Sequence, residues 1–186
     1  MEYLQARKSR FFVFVTTAYV LIMAAQVGGI AHLYNRVDAL GGLGVAAGSI
    51  QALTLASISG RLLGGWLLTR ITIRPFLFFN LLIQLLGLFL IGFSEKSGVA
   101  IISSIFFGFS VGNLLMLQPL WLAEIYPRNI YPRLFALSNA YSVIGVALGP
   151  YLLGLVYVNS DYSVAYLVAS VVSLTALVII LSLIHI

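Results

Sequence analysis

Residues 11–31 read FFVFVTTAYVLIMAAQVGGIA, an apolar run without a charged side chain. A helix of about 20 apolar residues crosses the hydrocarbon core of a bilayer, so this run predicts a membrane-spanning helix. Five further runs of similar character follow along the chain. We expect the spans to cover residues 11–31, 43–63, 76–93, 99–123, 134–158 and 164–180.

The composition supports the same interpretation. Of the 186 residues, 61% are hydrophobic and only 8% are charged, whereas about 25% of an ordinary soluble domain is charged. This composition excludes a water-soluble globule. A membrane β-barrel would need segments of about ten residues with alternating polarity, and the sequence has none. We therefore predict an all-α, polytopic membrane protein with six transmembrane helices.

The basic residues predict the orientation of the bundle. Eight of the ten Lys and Arg residues lie in the connectors on the N-terminal side, and only Arg36 and Lys96 lie on the other. Because cytoplasmic loops are enriched in Lys and Arg, we expect both termini to be cytoplasmic, in a bacterial-type inner or plasma membrane. The bases occur singly or in pairs between apolar runs, which does not favour a nucleic-acid partner.

Glycines in the second, fourth and fifth spans occur in pairs four residues apart. This spacing places both glycines on one helix face, where another backbone can approach closely. Passive packing would explain any single pair, but four pairs suggest helices that slide or rock against each other. The pairs are Gly44 with Gly48, Gly60 with Gly64, Gly108 with Gly112, and Gly145 with Gly149.

Polar side chains near the middle of a span usually face the bundle interior or a water-filled cavity. Tyr19, Gln51 and Asn113 lie at similar depth, and Gln26 is on the same span as Tyr19. We expect these four to line a substrate cavity; the alternative for each is an interhelical hydrogen bond. No Asp, Glu, Lys or Arg lies at mid-depth, so the chain alone cannot supply a proton relay or an intramembrane ion pair.

Charged residues at the span ends are candidate gate or loop charges. Glu124 lies at the end of the fourth span, at a depth where it could pair with a neighbouring arginine; the alternative is a solvated end charge. The full set is Arg61, Arg70, Arg74, Glu124, Arg128 and Arg133.

One string resembles an enzyme motif. Residues 108–112 match G-x-S-x-G around Ser110, and an intramembrane serine protease would pair such a serine with a histidine. His185 is a poor base for it, because Ser110 is expected near the middle of the membrane and His185 at its cytoplasmic side. Residues 181–186 (LSLIHI) also match the translated end of a common sequencing adapter, so His185 receives no role. We therefore predict no enzymatic activity.

No metal site or other cofactor is predicted. His32 has no second candidate ligand nearby in sequence, and the chain contains no cysteine.

Three motifs resemble signatures of the major facilitator superfamily. The stretch GRLLGGWLLTR (Gly60 to Arg70) is similar to the signature that follows the second helix of each half, with Thr69 where the family usually has Asp. The segment from Glu124 through Pro127 to Arg133 resembles the loop after the fourth helix. The third is GPYLLG, with Pro150, on the fifth span.

The resemblance covers the whole chain and implies the C-terminal six-helix half of a twelve-helix transporter. Residues 1–10 then correspond to the central cytoplasmic linker, and the missing N-terminal half is the partner. The family resemblance implies alternating access, with spans one, two, four and five lining the cavity. This favours Tyr19, Gln26, Gln51 and Asn113 as the substrate contacts.

The segment from Gln26 to His32 is similar to carriers of the monocarboxylate and oxalate–formate kind, which implies an organic anion as the small solute. The sequence leaves open which ion is coupled to transport and whether the coupling is symport or antiport. The alternative function is a self-sufficient six-helix membrane protein that acts as a homodimer or structural subunit.

Overall fold

The computed structural model describes residues 3–183, and this part of the chain folds into seven helices without a strand. Residues 184–186, including His185, lie outside the described residues. The helices are α1 (Tyr3–Ala6), α2 (Arg10–Gly41), α3 (Leu43–Leu67), α4 (Ile73–Phe93), α5 (Ser97–Ile125), α6 (Tyr131–Asn159) and α7 (Tyr162–Ser182).

Six of these helices, α2 to α7, are long and apolar enough to cross a membrane. This confirms the prediction of an all-α polytopic protein. Helix α2 has 32 residues and continues ten residues beyond the predicted span, because no helix-breaking residue follows until Gly42. There the chain turns with φ of 78°, a left-handed conformation that glycine adopts without steric cost.

Side-chain caps fix the starts of two membrane helices. The Ser9 hydroxyl accepts a hydrogen bond from the backbone N–H of Phe12 at 3.2 Å, at the start of α2. The Asp161 carboxylate accepts one from Val164 at 2.9 Å, at the start of α7. Each cap satisfies a backbone donor that has no partner within the helix, so the caps define the residues at which α2 and α7 begin.

The helices run alternately up and down, which gives the bundle two distinct ends. The basic end contains the start of α2 and the connectors at residues 68–72 and 126–130. The opposite end contains Gly42 and the connectors at residues 94–96 and 160–161. Two apolar clusters fill the interior, one towards each end, centred on Trp121 and on Phe107.

Helices α3 and α6 are the least covered. Helix α6 packs mainly on α2, and α3 mainly on α5, whereas α4 and α7 close the other side of the bundle. In the most apolar stretch of both α3 and α6, 22% of the residues are buried, against 44–56% in the other four membrane helices. One broad side of each therefore has no neighbour within residues 3–183.

Both internal prolines lie within continuous helices. Helix α5 runs through Pro119, and α6 runs through Pro150. At the second site the His32 imidazole lies 3.0 Å from the carbonyl oxygen of Pro150, through its Nε2 atom. This contact joins α2 to α6 near the opposite end of the bundle.

Candidate substrate cavity

The four predicted cavity residues do not meet in a single pocket within the described chain. Tyr19 and Gln26 are buried on α2, with 0% and 1% of their surface exposed, and Asn113 is fully buried on α5. Gln51 is exposed on α3. The structure thus separates three interior side chains from one that faces outward from the six-helix bundle.

Asn113 lies where α5 crosses α3. Its amide Nδ2 donates to the Phe109 carbonyl oxygen at 3.0 Å, and its Oδ1 has no hydrogen-bond partner. The side chain fits because Gly64 has no Cβ, since a methyl group there would collide with Asn113 Oδ1. Asn113 therefore contributes to helix packing and keeps one free acceptor.

Tyr19 and Gln26 also retain free hydrogen-bonding groups. The Tyr19 hydroxyl and the Gln26 Nε2 atom are buried and have no partner among the described residues. An unsatisfied buried polar group costs about 1–3 kcal/mol, so such groups mark places for water, for a ligand, or for a partner that arrives during a conformational change. They lie two helical turns apart on α2.

A buried network of polar side chains joins α2, α5 and α6. The Gln118 Nε2 donates to the Ser138 and Ser142 hydroxyls at 3.0 and 3.1 Å, and the Thr16 hydroxyl donates to Ser138 at 3.0 Å. The sequence analysis did not single out this set. The available signal was Gln118 within an apolar span, together with two serines one helical turn apart on α6.

Three of the four glycine pairs lie at helix crossings. Methyl groups at Gly108 and Gly112 would collide with the α3 backbone at Leu53 and Ser57. The pair on α6 behaves in the same way, because methyl groups at Gly145 and Gly149 would collide with the α2 backbone at Val20 and Ala24.

Gly60 lies in the same α3–α5 contact, where an added Cβ would lie 2.9 Å from the Phe109 carbonyl oxygen. The remaining pair, Gly44 and Gly48, has open space around it.

The candidate gate charges are all on the surface. Glu124 is exposed, and within residues 3–183 no hydrogen bond or ion pair joins it to Arg61, Arg70 or Arg128. The Arg70 guanidinium lies 5.7 Å from the centre of the Trp66 ring. The exposed members are Arg61, Arg70, Arg74, Glu124, Arg128 and Arg133.

The G-x-S-x-G string does not form a nucleophile site in the part of the chain that the structure describes. Ser110 is fully buried, and its hydroxyl donates to the Phe107 carbonyl oxygen of its own helix at 2.7 Å. Among the same residues no group of three His, Asp or Glu side chains is placed to hold a metal ion.

Comparison with known proteins decides the family. The family model of the Major Facilitator Superfamily matches residues 4–186. The chain belongs to this superfamily. This confirms the resemblance that the motifs at Gly60, Glu124 and Pro150 suggested.

Two curated proteins similar to the chain are named for transport. The chain is 29% identical to D-xylose-proton symporter-like 2 of Arabidopsis thaliana over 134 residues, which is 72% of this chain and 24% of that protein. It is also 29% identical to inositol transporter 4 of the same plant, over 68% of this chain and 22% of that protein. The chain thus spans about a quarter of the length of these superfamily members.

Two solved structures of transporters share the fold of this chain. A peptide transporter POT in complex with sulfate superposes with a TM-score of 0.78 at 19% identity, over 94% of this chain and 37% of that one. The E. coli fucose:proton symporter gives a TM-score of 0.78 at 17% identity, over 94% of this chain and 43% of that one. At such identities the likeness shows the six-helix fold alone.

Proposed function

We propose that this chain forms one six-helix bundle of a secondary transporter, which carries a small solute by alternating access together with a second, N-terminal bundle. The observation that carries the proposal is the family match over residues 4–186. Transporters of this kind place the solute site near the middle of the membrane, between bundles that rock against each other.

The uncovered sides of α3 and α6 support a second bundle. On α3 the exposed surface includes Gln51 and large apolar side chains such as Leu55, Ile58 and Leu62, which are 55–74% exposed. Beside them Gly44 and Gly48 leave open space. An exposed polar side chain and a small-residue face together suit a surface that is part cavity wall and part helix contact.

For the solute we propose a sugar or polyol, with a proton as the coupling ion. The names of two relatives, a D-xylose-proton symporter-like protein and an inositol transporter, support this class. The candidate side chains Tyr19, Gln26, Gln51 and Asn113 are neutral donors and acceptors, which suit hydroxyl groups. The organic anion that the sequence suggested stays a prediction, because these four side chains supply no positive charge for it.

Transport by the complete protein in liposomes tests the proposal. The full reading frame that contains this chain is reconstituted, and uptake of radiolabelled D-xylose and myo-inositol is followed with and without an inwardly directed proton gradient. We expect uptake of one of them to depend on the gradient and to stop when a protonophore is added. No uptake of either solute, or uptake indifferent to the gradient, would contradict the corresponding part of the proposal.

Site variants in the same assay test the cavity residues. Gln51→Leu and Asn113→Leu should raise the solute KM, because Gln51 is exposed on a side of α3 that the second bundle would cover and Asn113 keeps a buried acceptor without a partner. Thr175→Val is the matched control, since Thr175 is exposed on α7 and bonds only to the Val171 carbonyl of its own helix. Equal effects of all three variants would exclude a cavity role for Gln51 and Asn113.

The homodimer alternative has a direct test, since a second copy could also cover the Gly44 and Gly48 face. The chain has no cysteine, so Gly48→Cys introduces one thiol on that face once any cysteine in the rest of the complete protein has been replaced by serine. A disulfide-linked dimer of the complete protein in native membranes would favour a second copy, whereas a monomeric band fits coverage by another bundle of the same chain.

A further inference from the structure

A groove of about 650 Å³ lies between α2 and α6 at the basic end of the bundle. It is bounded by the first three turns of α2, by the turn that precedes them, and by α6 around Leu137 and Tyr141. None of Tyr19, Gln26, Gln51 or Asn113 lines it. Its lining thus shares no residue with the four proposed solute contacts, and its volume is in the range of about 300–1,000 Å³ typical of small-molecule sites.

The wall of the groove is mostly apolar but contains hydroxyl groups. Val13, Val20 and Leu137 supply apolar surface, and the exposed residues Thr17 and Tyr141 each contribute a hydroxyl group to the lining. A groove that accommodated only a lipid chain would need no hydroxyls along its wall. The mixed surface suits a ligand with both an apolar body and polar substituents.

Two bases stand at the mouth of the groove. Arg7 and Lys8 line it and are exposed. They lie in a turn whose backbone is fixed, because the N–H of Arg7 donates to the Tyr3 carbonyl at 3.0 Å. The next residue, Ser9, bonds to the Tyr126 hydroxyl at 2.7 Å. The positive charge is thus held at this place by the lead-in segment.

No acidic side chain from residues 3–183 lines the groove. Of the acidic residues in this range, Asp38, Glu95 and Asp161 belong to the opposite end of the bundle, and Glu124 lies exposed at the end of α5. Counted over residues 3–183, the mouth therefore has a net positive charge next to an apolar wall.

From this geometry we propose that the groove binds a water-borne amphiphilic organic anion. Its carboxylate or phosphate group lies between Arg7 and Lys8, and its apolar body lies along Val13 and Val20. The basic charge that the membrane spans lack is thus supplied by the segment that precedes them. The inference goes beyond the proposed transport function and does not depend on it, because it concerns equilibrium binding by residues that the transport proposal does not use.

Binding of radiolabelled octanoate to the purified protein tests the site. The protein is placed in nanodiscs of zwitterionic phosphatidylcholine at neutral pH, where the carboxylate is ionised. The double variant Arg7→Gln with Lys8→Gln should weaken binding about fivefold, because an exposed ion pair contributes about 0.2–1 kcal/mol. Val13→Trp should abolish binding by filling the groove without changing any charge.

The matched control removes two other bases from the same end. Arg10→Gln with Arg128→Gln changes the net charge by the same amount, and both residues are exposed and outside the groove lining. We expect this control to bind octanoate as the unchanged protein does. If both double variants weakened octanoate binding equally, the effect would be due to the general surface charge, and the proposed site would be wrong.

Two further measurements separate the possible ligands. Neutral octanol should compete poorly; equal competition would show that the groove selects no anion and would overturn the proposal. In concentrated salt, which screens the surface potential of the bilayer, replacing a quarter of the lipid by anionic phosphatidylglycerol should leave octanoate binding the same as in phosphatidylcholine nanodiscs at that salt concentration. Loss of binding in those nanodiscs would identify a lipid headgroup as the occupant and would overturn the water-borne anion. Solute uptake is measured separately, so failure of transport and failure of this site are distinguishable.

Discussion

The guanidinium of Arg36 on α2 donates a hydrogen bond of 2.8 Å to the carbonyl oxygen of Gly92 at the end of α4. The same side chain donates to the carbonyls of Ile91 at 3.2 Å and Ser94 at 2.9 Å. The last carbonyls of a helix have no partner within it, and a cation there also interacts favourably with the helix dipole. Arg36 therefore caps α4 from a neighbouring helix.

Replacing Arg36 should destabilise the bundle. We expect Arg36→Gln to lower the free energy of unfolding by about 2 kcal/mol, since hydrogen bonds to charged groups contribute about 1.5–3 kcal/mol. Arg36→Lys should be intermediate, because an ammonium cannot reproduce the planar fork of donors. Unfolding in detergent gives the values. Lys96→Gln is the control, because Lys96 is exposed at the same end of the bundle. If Lys96→Gln lowered the free energy of unfolding as much as Arg36→Gln, the cap on α4 would contribute nothing to stability.

The glycine contacts predict different outcomes for identical substitutions. Gly112→Ala should cost about 1–3 kcal/mol, because the methyl group would force α5 away from the Ser57 backbone and overpack the crossing. Gly48→Ala has open space and should be neutral or stabilising, since alanine is favoured over glycine in a helix by about 1 kcal/mol. Thermal unfolding of the two variants is the measurement, and similar destabilisation by both would refute the assigned contacts.

The same Gly48→Ala variant should affect transport without affecting stability. If a second bundle packs against this face, the variant of the complete protein should fold normally but transport more slowly, because the added methyl groups would hinder the approach of the two bundles. Normal transport would show that the face of Gly44 and Gly48 is not a close helix contact.

The buried network around Gln118 should stabilise the α5–α6 contact modestly. Hydrogen bonds between membrane helices average about 0.6 kcal/mol, so Gln118→Leu, which removes two of them, should cost about 1 kcal/mol. Combining it with Thr16→Val should cost less than the sum of the single variants, since both side chains bond to Ser138. Strict additivity in unfolding experiments would show that the two bonds are not coupled.

The contact between Ser9 and Tyr126 predicts a pH dependence at the basic end. Burial raises the pKa of the Tyr126 phenol above its ordinary value of about 10, and the hydrogen bond with Ser9 opposes this shift less strongly. The folded state thus favours the neutral phenol, whose contribution is fully present below pH 10 and is lost as the pH rises through the folded-state pKa.

We therefore expect Tyr126→Phe to be less stable than the unchanged protein by about 1 kcal/mol at pH 8, the value of one hydrogen bond. The difference should shrink above pH 10. Unfolding curves at both pH values check this, with Tyr34→Phe as the control because Tyr34 is exposed on the far part of α2. A difference that stayed constant with pH would contradict the assignment.

The distribution of basic residues predicts the sidedness of the bundle. Cysteines at Arg70 and Lys96 are suitable probes, because both positions are exposed in connectors at opposite ends and these 186 residues contain no native cysteine. Any cysteine in the rest of the complete protein is first replaced by serine. In intact cells an impermeant maleimide should label Lys96→Cys, and Arg70→Cys only after permeabilisation. The reverse pattern would place the basic end outside.

The spans and their order could be predicted from the sequence because they depend on local properties. Apolar runs of sufficient length, separated by charged and turn residues, predicted six membrane helices, and the family motifs predicted which superfamily they form. The continuation of α2 past Ala31 was not predicted, because a helix can extend beyond the apolar run until a residue such as Gly42 ends it.

The placement of single side chains could not be predicted in the same way. Gln51 and Gln118 are both amides in apolar spans, yet Gln51 is exposed and Gln118 bonds to two serines of another helix. Gly48 and Gly112 belong to pairs with identical spacing, yet only Gly112 touches a neighbouring backbone. Spacing fixes which residues share a helix face, but not what lies opposite that face.

By itself, then, the sequence determined the membrane environment, the number of membrane helices and the family, since these follow from hydrophobic length and from short motifs along one chain. Only the tertiary structure decided which glycines form helix crossings, that Arg36 caps α4, and that Arg7 and Lys8 stand beside an apolar groove. These features join residues that are distant in sequence, and their contacts depend on how the helices are rotated and crossed, which no local pattern specifies.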